Sequence, residues 1–270
     1  MSENARYWIW LQNALGYGAK IKSIIDEYKS AKLLYELGES EWKMSTVLSK
    51  RQVEKLIMTD AGKSDEIIDC CSKNGYKIID FDDKAYPKRL KEIINLPAVL
   101  YVDGELPDID NLVCIGMVGT RKASEYAIKA AHIMAKGITE AGALVVSGGA
   151  LGIDTYSHLG ALACGGKTVA VLGNGLGNNY LKANEGLRNM IKQSGALVTE
   201  YQPNVPANRT SFPMRNRIIS GLSLGILVVE AGVKSGSLIT ANLAIEQNRD
   251  VYAVPASIFS SDFSGTNKLI

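Results

Sequence analysis

The chain carries almost no surplus of charge. Its 30 lysines and arginines stand against 28 aspartates and glutamates, a formal net charge of +2. The protein is therefore not basic overall, and positive charge that meets a polyanion has to be gathered locally. Cysteine is scarce: Cys70, Cys71, Cys114 and Cys164. None has metal-ligand spacing, and Cys114 sits inside an apolar strand pattern. A zinc site and a disulfide framework drop out, and the thiols read as reduced, in a cytosolic protein. The first residues, Met1 to Arg6, lack the basic-then-apolar order of a secretion signal. No apolar run reaches the length of a membrane span. What is present is bulk: 270 residues, 46% of them hydrophobic, enough for a sizeable core and one to three domains.

Residues 1–75 show helical periodicity. Tyr7, Trp8, Trp10, Leu11, Ala14 and Leu15 form one apolar stripe, closed by Gly16. Ile21, Ile24, Ile25 and Tyr28 form a second. Leu33, Leu34 and Leu37 begin a third, closed by Gly38, and Val47, Leu48, Val53, Leu56 and Ile57 suit a fourth. The expectation is a small all-helical N-terminal domain, of the sterile-alpha-motif or helix-hairpin-helix kind. The Leu15-Gly16-Tyr17-Gly18 turn, followed by Lys20 and Lys22, is its weak nucleic-acid signal, and protein contacts are the stronger reading. Residues 76–110 change period. Lys77 to Phe81 reads as a short strand, and the prolines at 87 and 97 place this extension at sheet edges or in loops.

From residue 111 to 270, strands and helices alternate. Apolar runs fall at Leu112–Val118, Ala143–Val146, Thr168–Leu172, Ala196–Thr199, Gly225–Val229 and Asp250–Val254. Between the first two lies a helix with Ser124 as N-cap, Ala127, Ala130, Ala131, Met134 and Ile138 on one face, and Gly142 at its end. The pattern predicts an α/β fold: an extended Rossmann-like, doubly wound, mostly parallel sheet with helices on both faces. Ligands of such sheets sit beyond the carboxyl ends of the strands, so the turns there carry the function.

The central turn is Ser147-Gly148-Gly149, between a strand buried on both faces and a helix running through Tyr156, Leu159 and Leu162. Its N–H groups at a helix N-terminus suit a phosphate. The glycines serve a tight turn equally well, and at this level the two readings stay level. The other turns bring Gly119, Arg121 and Lys122; Tyr180, Lys182 and Asn184; Tyr201, Phe212, Arg215 and Arg217; and Lys234, Ser235, Gly236 and Ser237 to the same edge. Several cations in a row suit several phosphates better than one small cofactor. Tyr180, Tyr201 and Phe212 suit stacking of unpaired bases, although such aromatics are more often core. Arg121 has an alternative in pairing with Asp154 or Glu230. Arg215 and Arg217 diverge on a helix, so one is expected in an ion pair and the other toward the ligand, and the spacing does not say which. Ser235-Gly236-Ser237 also reads as an N-cap with a turn glycine, and Asp154 and Ser237 read as shaping loops. His158 reads as a buried histidine before it reads as a general base.

Several of these segments occur in the order and spacing of a known family. They are Gly119-Thr120-Arg121, Ser147 to Asp154, His158-x-Gly160-Ala161-Leu162, Val171-Leu172-Gly173-x-Gly175, Tyr180-x-x-x-Asn184, Phe212 to Ser223, Ser235 to Ala241 and Gly265-Thr266-Asn267. From roughly Asp80 onward the chain resembles the DNA-processing protein A family (DprA, also called Smf). The resemblance implies a non-enzymatic, cytosolic protein without a cofactor or metal. It would bind and protect single-stranded DNA during natural transformation, help load the RecA recombinase, and dimerise through the extended Rossmann domain. It implies DNA contacts at Arg121 and Lys182, with Arg215-Asn216-Arg217 in the same basic pocket. The candidate contact set is Gly119, Arg121, Lys122, Ser147, Gly148, Gly149, Lys182, Asn184, Phe212, Arg215, Arg217, Ser235, Gly236 and Ser237.

Four features depart from the family pattern. Leu181 stands where proline is usual, Asn174 and Asn178-Asn179 where small or acidic residues are usual, and Ala256 where a glycine usually follows the proline. The C-terminal winged-helix domain that many members carry is not found before Ile270. Two enzyme readings compete. A hydrolase acting on nucleoside monophosphates would need a glutamate within the helical turn after Ser235-Gly236-Ser237, and no acid follows until Glu246. A dinucleotide enzyme would need the three-glycine fingerprint after the first strand and an acid after the second, and both are missing.

Overall fold

The computed structural model describes residues 1–270. Five helices open the chain: α1 (Ala5–Leu15), α2 (Lys22–Tyr28), α3 (Ala31–Met44), α4 (Lys50–Met58) and α5 (Gly62–Asn74). α3 breaks at Gly38, where φ is +74°, a backbone angle glycine adopts without a Cβ clash. The third apolar stripe does end there, and the chain re-enters helix at once to carry Trp42. α5 was not visible as a stripe, because only Ser64 and Cys71 of it are buried. Ser49 and Gln52 form a reciprocal cap that starts α4.

The helical segment is not detached. Trp8, Ile9 and Leu11 of α1 share one core with Val99 to Val102 of the sheet and Ile218 and Leu222 of a later helix. Trp8 Nε1 donates to Asp82 at 2.8 Å, and Ser2 Oγ donates to Asp80 at 2.6 Å. The Gly16-Tyr17-Gly18 turn faces inward as well. The Tyr17 ring lies 4.5 Å from that of Tyr201, and a Cβ on Gly18 would run into Met214. The turn that resembled a DNA-holding hairpin is thus a packing contact.

The eight strands are β1 (Lys77–Asp80), β2 (Val99–Gly104), β3 (Cys114–Val118), β4 (Leu144–Ser147), β5 (Thr168–Val171), β6 (Ala196–Thr199), β7 (Gly225–Val228) and β8 (Asp250–Ala253). They form one sheet in the order β1-β2-β6-β5-β4-β3-β7-β8. β1 pairs antiparallel with β2 and β2 with β6, and the remaining pairs are parallel. The prolines at 87 and 97 lie in the connection between β1 and β2, as their missing N–H groups require.

The helices between the strands are α6 (Lys88–Lys91), α7 (Glu125–Glu140), α8 (Ile153–Ala163), α9 (Glu185–Ser194), α10 (Ser211–Leu222) and α11 (Ser237–Glu246), and a short α12 (Ser264–Asn267) follows β8. α7, α8 and α9 cover one face, with Ala127, Ala131 and Ala161 against Val145, and Leu187 and Ile191 against Ala170. α10, α11 and the N-terminal helices cover the other. The buried stripe of α7 is Ala127, Ala131 and Ala135, while Met134 is exposed, one position off the expected register. Small residues on that stripe let α8 come close: a Cβ on Gly160 would meet the His132 carbonyl. No helix is long and apolar enough to cross a membrane.

Strand order reverses around β3. The chain moves from β3 to β4, β5 and β6 on one side, then crosses to β7 and β8 on the other. The crevice at this reversal, beyond the carboxyl ends of β3 and β7, is where open α/β sheets hold ligands.

Candidate functional site

The loop after β4 is shaped by its carbonyl groups. Arg215 Nη1 donates to Gly148 O at 2.6 Å. Asn184 Nδ2 donates to the Gly149 and Ala150 carbonyls, both at 3.2 Å, and Thr155 Oγ1 donates to Ala150 O at 2.8 Å. Three successive carbonyls of the loop, those of residues 148–150, are thus held by side chains. Among the loop amides, Ala150 N donates to Asp154 Oδ2 at 3.2 Å. Gly148 is required by close approach, since a Cβ there would meet the Arg215 guanidinium and the Asp154 carboxylate. Gly149 is required by conformation, with φ at +68°. Burial pushes the Asp154 carboxyl above its ordinary range, against the opposing pull of Arg215.

Facing this loop is a stack of three side chains. The Arg121 guanidinium carbon lies 5.0 Å from the centroid of the Phe212 ring, and that ring lies 5.3 Å from Tyr180 at 41°. Arg121 is exposed, while Phe212 and Tyr180 are half-buried. The stack borders an open cleft of about 650 Å³ at the strand-order reversal. Gly119 and Arg121 line it from the β3 turn, Arg215 and Phe212 from α10, and Ser235, Gly236 and Ser237 from the turn before α11. On the other side of Arg121, Phe212 and Tyr180 is a smaller pocket of about 110 Å³, walled by Gly148 and Gly149.

Not every predicted residue reaches this cleft. Arg217 does not: it is 1% exposed and bidentate to Glu200, with both N–O distances at 2.7 Å. It also donates to Asn95 O and Met214 O, so it ties β6, α10 and the β1–β2 connection together. Ser147 points into the sheet, donating to Met117 O at 2.6 Å. Asn184 is a brace behind the glycine loop. Arg215 lines the cleft but is itself buried, with Nη1 also donating to Val171 O. It forms part of the floor and does not reach out from it. Lys122, Lys182 and Lys234 are exposed and lie outside the cleft lining.

Asn216 lines the cleft as expected, and beyond the expected set Arg209 and Thr240 line it too, while Arg188 lines the small pocket and donates to Tyr180 O. Arg209 was accessible as a basic residue just ahead of Phe212. Thr240 carries no local signal. Glu230, considered as a partner of Arg121, and His158, considered as a general base, have other roles. Glu230 accepts from Ser124 N at 2.9 Å at the start of α7, and burial raises its carboxyl. His158 is fully buried with Nδ1 2.8 Å from Thr168 Oγ1. Thr168 donates its own hydroxyl hydrogen to Val145 O at 2.8 Å, which leaves Nδ1 of the histidine as the donor. Burial lowers the pKa of His158 to about 3.

A family model described as DNA recombination-mediator protein A matches residues 77–270. The DNA processing protein DprA of Bacillus subtilis is 40% identical over 198 residues, 73% of this chain and 67% of that protein. DprA of Streptococcus pneumoniae is 42% identical over 188 residues, 70% of this chain and 66% of that protein. Protein Smf of Escherichia coli is 36% identical over 226 residues, 83% of this chain and 60% of that protein. The chain thus spans about two thirds of the length of these relatives. The X-ray structure of DprA from S. pneumoniae superposes with a TM-score of 0.84 at 32% identity, covering 98% of this chain and 91% of that one. A structure of DNA processing protein A from Helicobacter pylori, described for its single-stranded DNA binding mode, superposes with a TM-score of 0.65 at 29% identity. It covers 72% of this chain and 86% of that one.

Proposed function

The chain belongs to the DNA recombination-mediator protein A family, and from that membership we propose that it binds single-stranded DNA along the carboxyl edge of its sheet. The observation that carries this reading is the Arg121–Phe212–Tyr180 stack between the open cleft and the glycine loop. An exposed guanidinium takes a phosphate, and half-buried rings beside it take an unpaired base. Phosphates run past Arg121, the glycine loop and Lys182, and a base turns toward the small pocket walled by Gly148 and Gly149. Contact with the sugar–phosphate chain makes binding nearly independent of sequence. Arg217 and Asn184 act from behind, by holding α10 and the loop.

The test is fluorescence anisotropy of a labelled oligo-dT with duplex DNA as competitor, over a salt series. The expected outcome is tight, salt-sensitive, single-strand-selective binding that Arg121→Glu weakens by about 100-fold or more with the unfolding midpoint unchanged. Normal binding by the variant would move the site elsewhere.

Following the family, the proposal extends to protection of incoming strands in natural transformation, to loading of RecA on the same strand, and to a homodimer. An unchanged lag in RecA filament growth on the bound oligonucleotide would remove the loading step. The reading is non-catalytic, and it is supported by the engagement of Glu230 and His158 in structural bonds. Release of free base from a nucleoside monophosphate would reverse it.

A further inference from the structure

Thr240 is 1% exposed, and its Oγ1 has no hydrogen-bond partner. A buried hydroxyl without a partner destabilises a fold, so its presence asks for a compensating role. A threonine within a helix usually turns its hydroxyl back to the carbonyl one turn earlier. Here that carbonyl, Gly236 O, accepts from Ile239 N at 3.2 Å, and Thr240 leaves it alone. Side chains of a helix tilt toward its N-terminus. Thr240 therefore leans over the first turn of α11, and it lines the cleft there.

At that helix end Leu238 N donates to Ser235 O at 3.1 Å and Ser237 N to Ser235 Oγ at 3.4 Å, so what it offers the cleft is its dipole. α11 starts after Gly236 with no side-chain cap on its N-cap residue and no acid in its first turn. Its ten residues give it a dipole whose positive end faces the cleft. A second buried donor lines the same cleft: Arg215 is 4% exposed, and its Nε also lacks a partner. Three arginines, Arg121, Arg209 and Arg215, stand in the lining against a single carboxylate, Asp154.

We propose that the N-terminus of α11, with Thr240 as a binding residue, is a phosphate subsite separate from the glycine loop after β4. Thr240 Oγ1 donates to one phosphate oxygen, and the positive end of the α11 dipole faces the phosphate. The inference rests on the DNA-binding reading for its natural ligand and deepens it, by placing a second phosphate in the crevice between β3 and β7. The phosphate is an internal diester of the strand or a terminal monoester, two sources of one chemistry.

The test compares wild type, Thr240→Val and Thr240→Ser with three probes: oligo-dT with a 5′-hydroxyl, the same oligonucleotide with a 5′-phosphate, and free AMP. Thr240→Val should keep or raise the unfolding midpoint, because it removes an unpartnered hydroxyl at constant shape. It should weaken binding about tenfold, with an unchanged salt slope because no charge is lost. Thr240→Ser should bind like wild type. Equal weakening for both oligonucleotides identifies an internal diester, and weakening confined to the 5′-phosphorylated one identifies a terminal monoester. If wild type binds neither oligonucleotide, the DNA-binding reading fails by itself. The subsite is then decided by thermal shift with AMP, present in wild type and absent in Thr240→Val. Wild-type behaviour of Thr240→Val with every probe, or a lowered midpoint without ligand, would overturn the proposal.

Discussion

At the scale of the residue, similar side chains with similar spacing have come to opposite ends. Arg215 and Arg217 lie two apart on α10, and the expectation that one of them makes an ion pair is met by Arg217 with Glu200. The pair sits where both groups are 1% exposed, so losing one partner would strand a buried charge. The helical periodicity separates the two arginines but carries no information on which one meets β6. His158 offers a check on the core itself. Its pKa is held at about 3 when folded, against an ordinary value near 6.5. Between those values the unfolded chain binds the proton and the folded chain does not. Stability from this group is therefore complete above about pH 6.5 and falls as the pH drops toward 3, by up to roughly 1.4 kcal/mol per pH unit. Asp154, with a raised carboxyl, works in the opposite sense in the acid range. Urea unfolding of wild type against His158→Leu isolates the histidine, and the variant should show a shallower loss over that window. Equal slopes would mean that His158 is not buried neutral.

At the scale of the element, strands and helices were legible because the signal is local. Five of the six predicted apolar runs contain a parallel strand in full, Ser124 caps α7, accepting from Ala127 N at 3.2 Å, and Gly142 ends it with φ at +85°. The register of α7 was not legible to one residue. Alanine stripes have little contrast, and what decides between Met134 and Ala135 is the closeness of α8. That closeness gives a test. Gly160→Ala places a methyl group against the His132 carbonyl and should cost about 1–3 kcal/mol in unfolding free energy. Both helices lie on the face away from α10 and α11, so oligonucleotide affinity should stay the same. A neutral effect on stability would show that the two helices slide apart easily.

At the scale of the whole molecule, the sheet ends in β8, which pairs with β7 and with no other strand. Around it lie large exposed apolar groups: Tyr252 on the strand, Ile245 on α11, and Ile258 and Phe259 in the segment that follows. An unpaired edge with an apolar surround is what a second copy would cover. The proposed homodimer is assigned to this edge. Light scattering should give twice the 29.1 kDa chain mass, and Phe259→Asp should shift it toward the monomer. A monomeric wild type would remove the dimer, and a dimeric variant would move its surface. The sequence by itself determined the fold class, the family and the edge of the sheet that carries the cleft. Each of these follows from local periodicity, from glycine and cap chemistry, and from the rule that ligands meet parallel strands at their carboxyl ends. Only the tertiary structure decided which residues of that edge reach the cleft. The inward turn of Ser147 and Asn184 is set by their bonds to Met117 and to the glycine loop, while burial of Arg217 and the unpartnered hydroxyl of Thr240 depend on how α10 and α11 are rotated against the sheet. That rotation is set by packing between residues far apart in the chain.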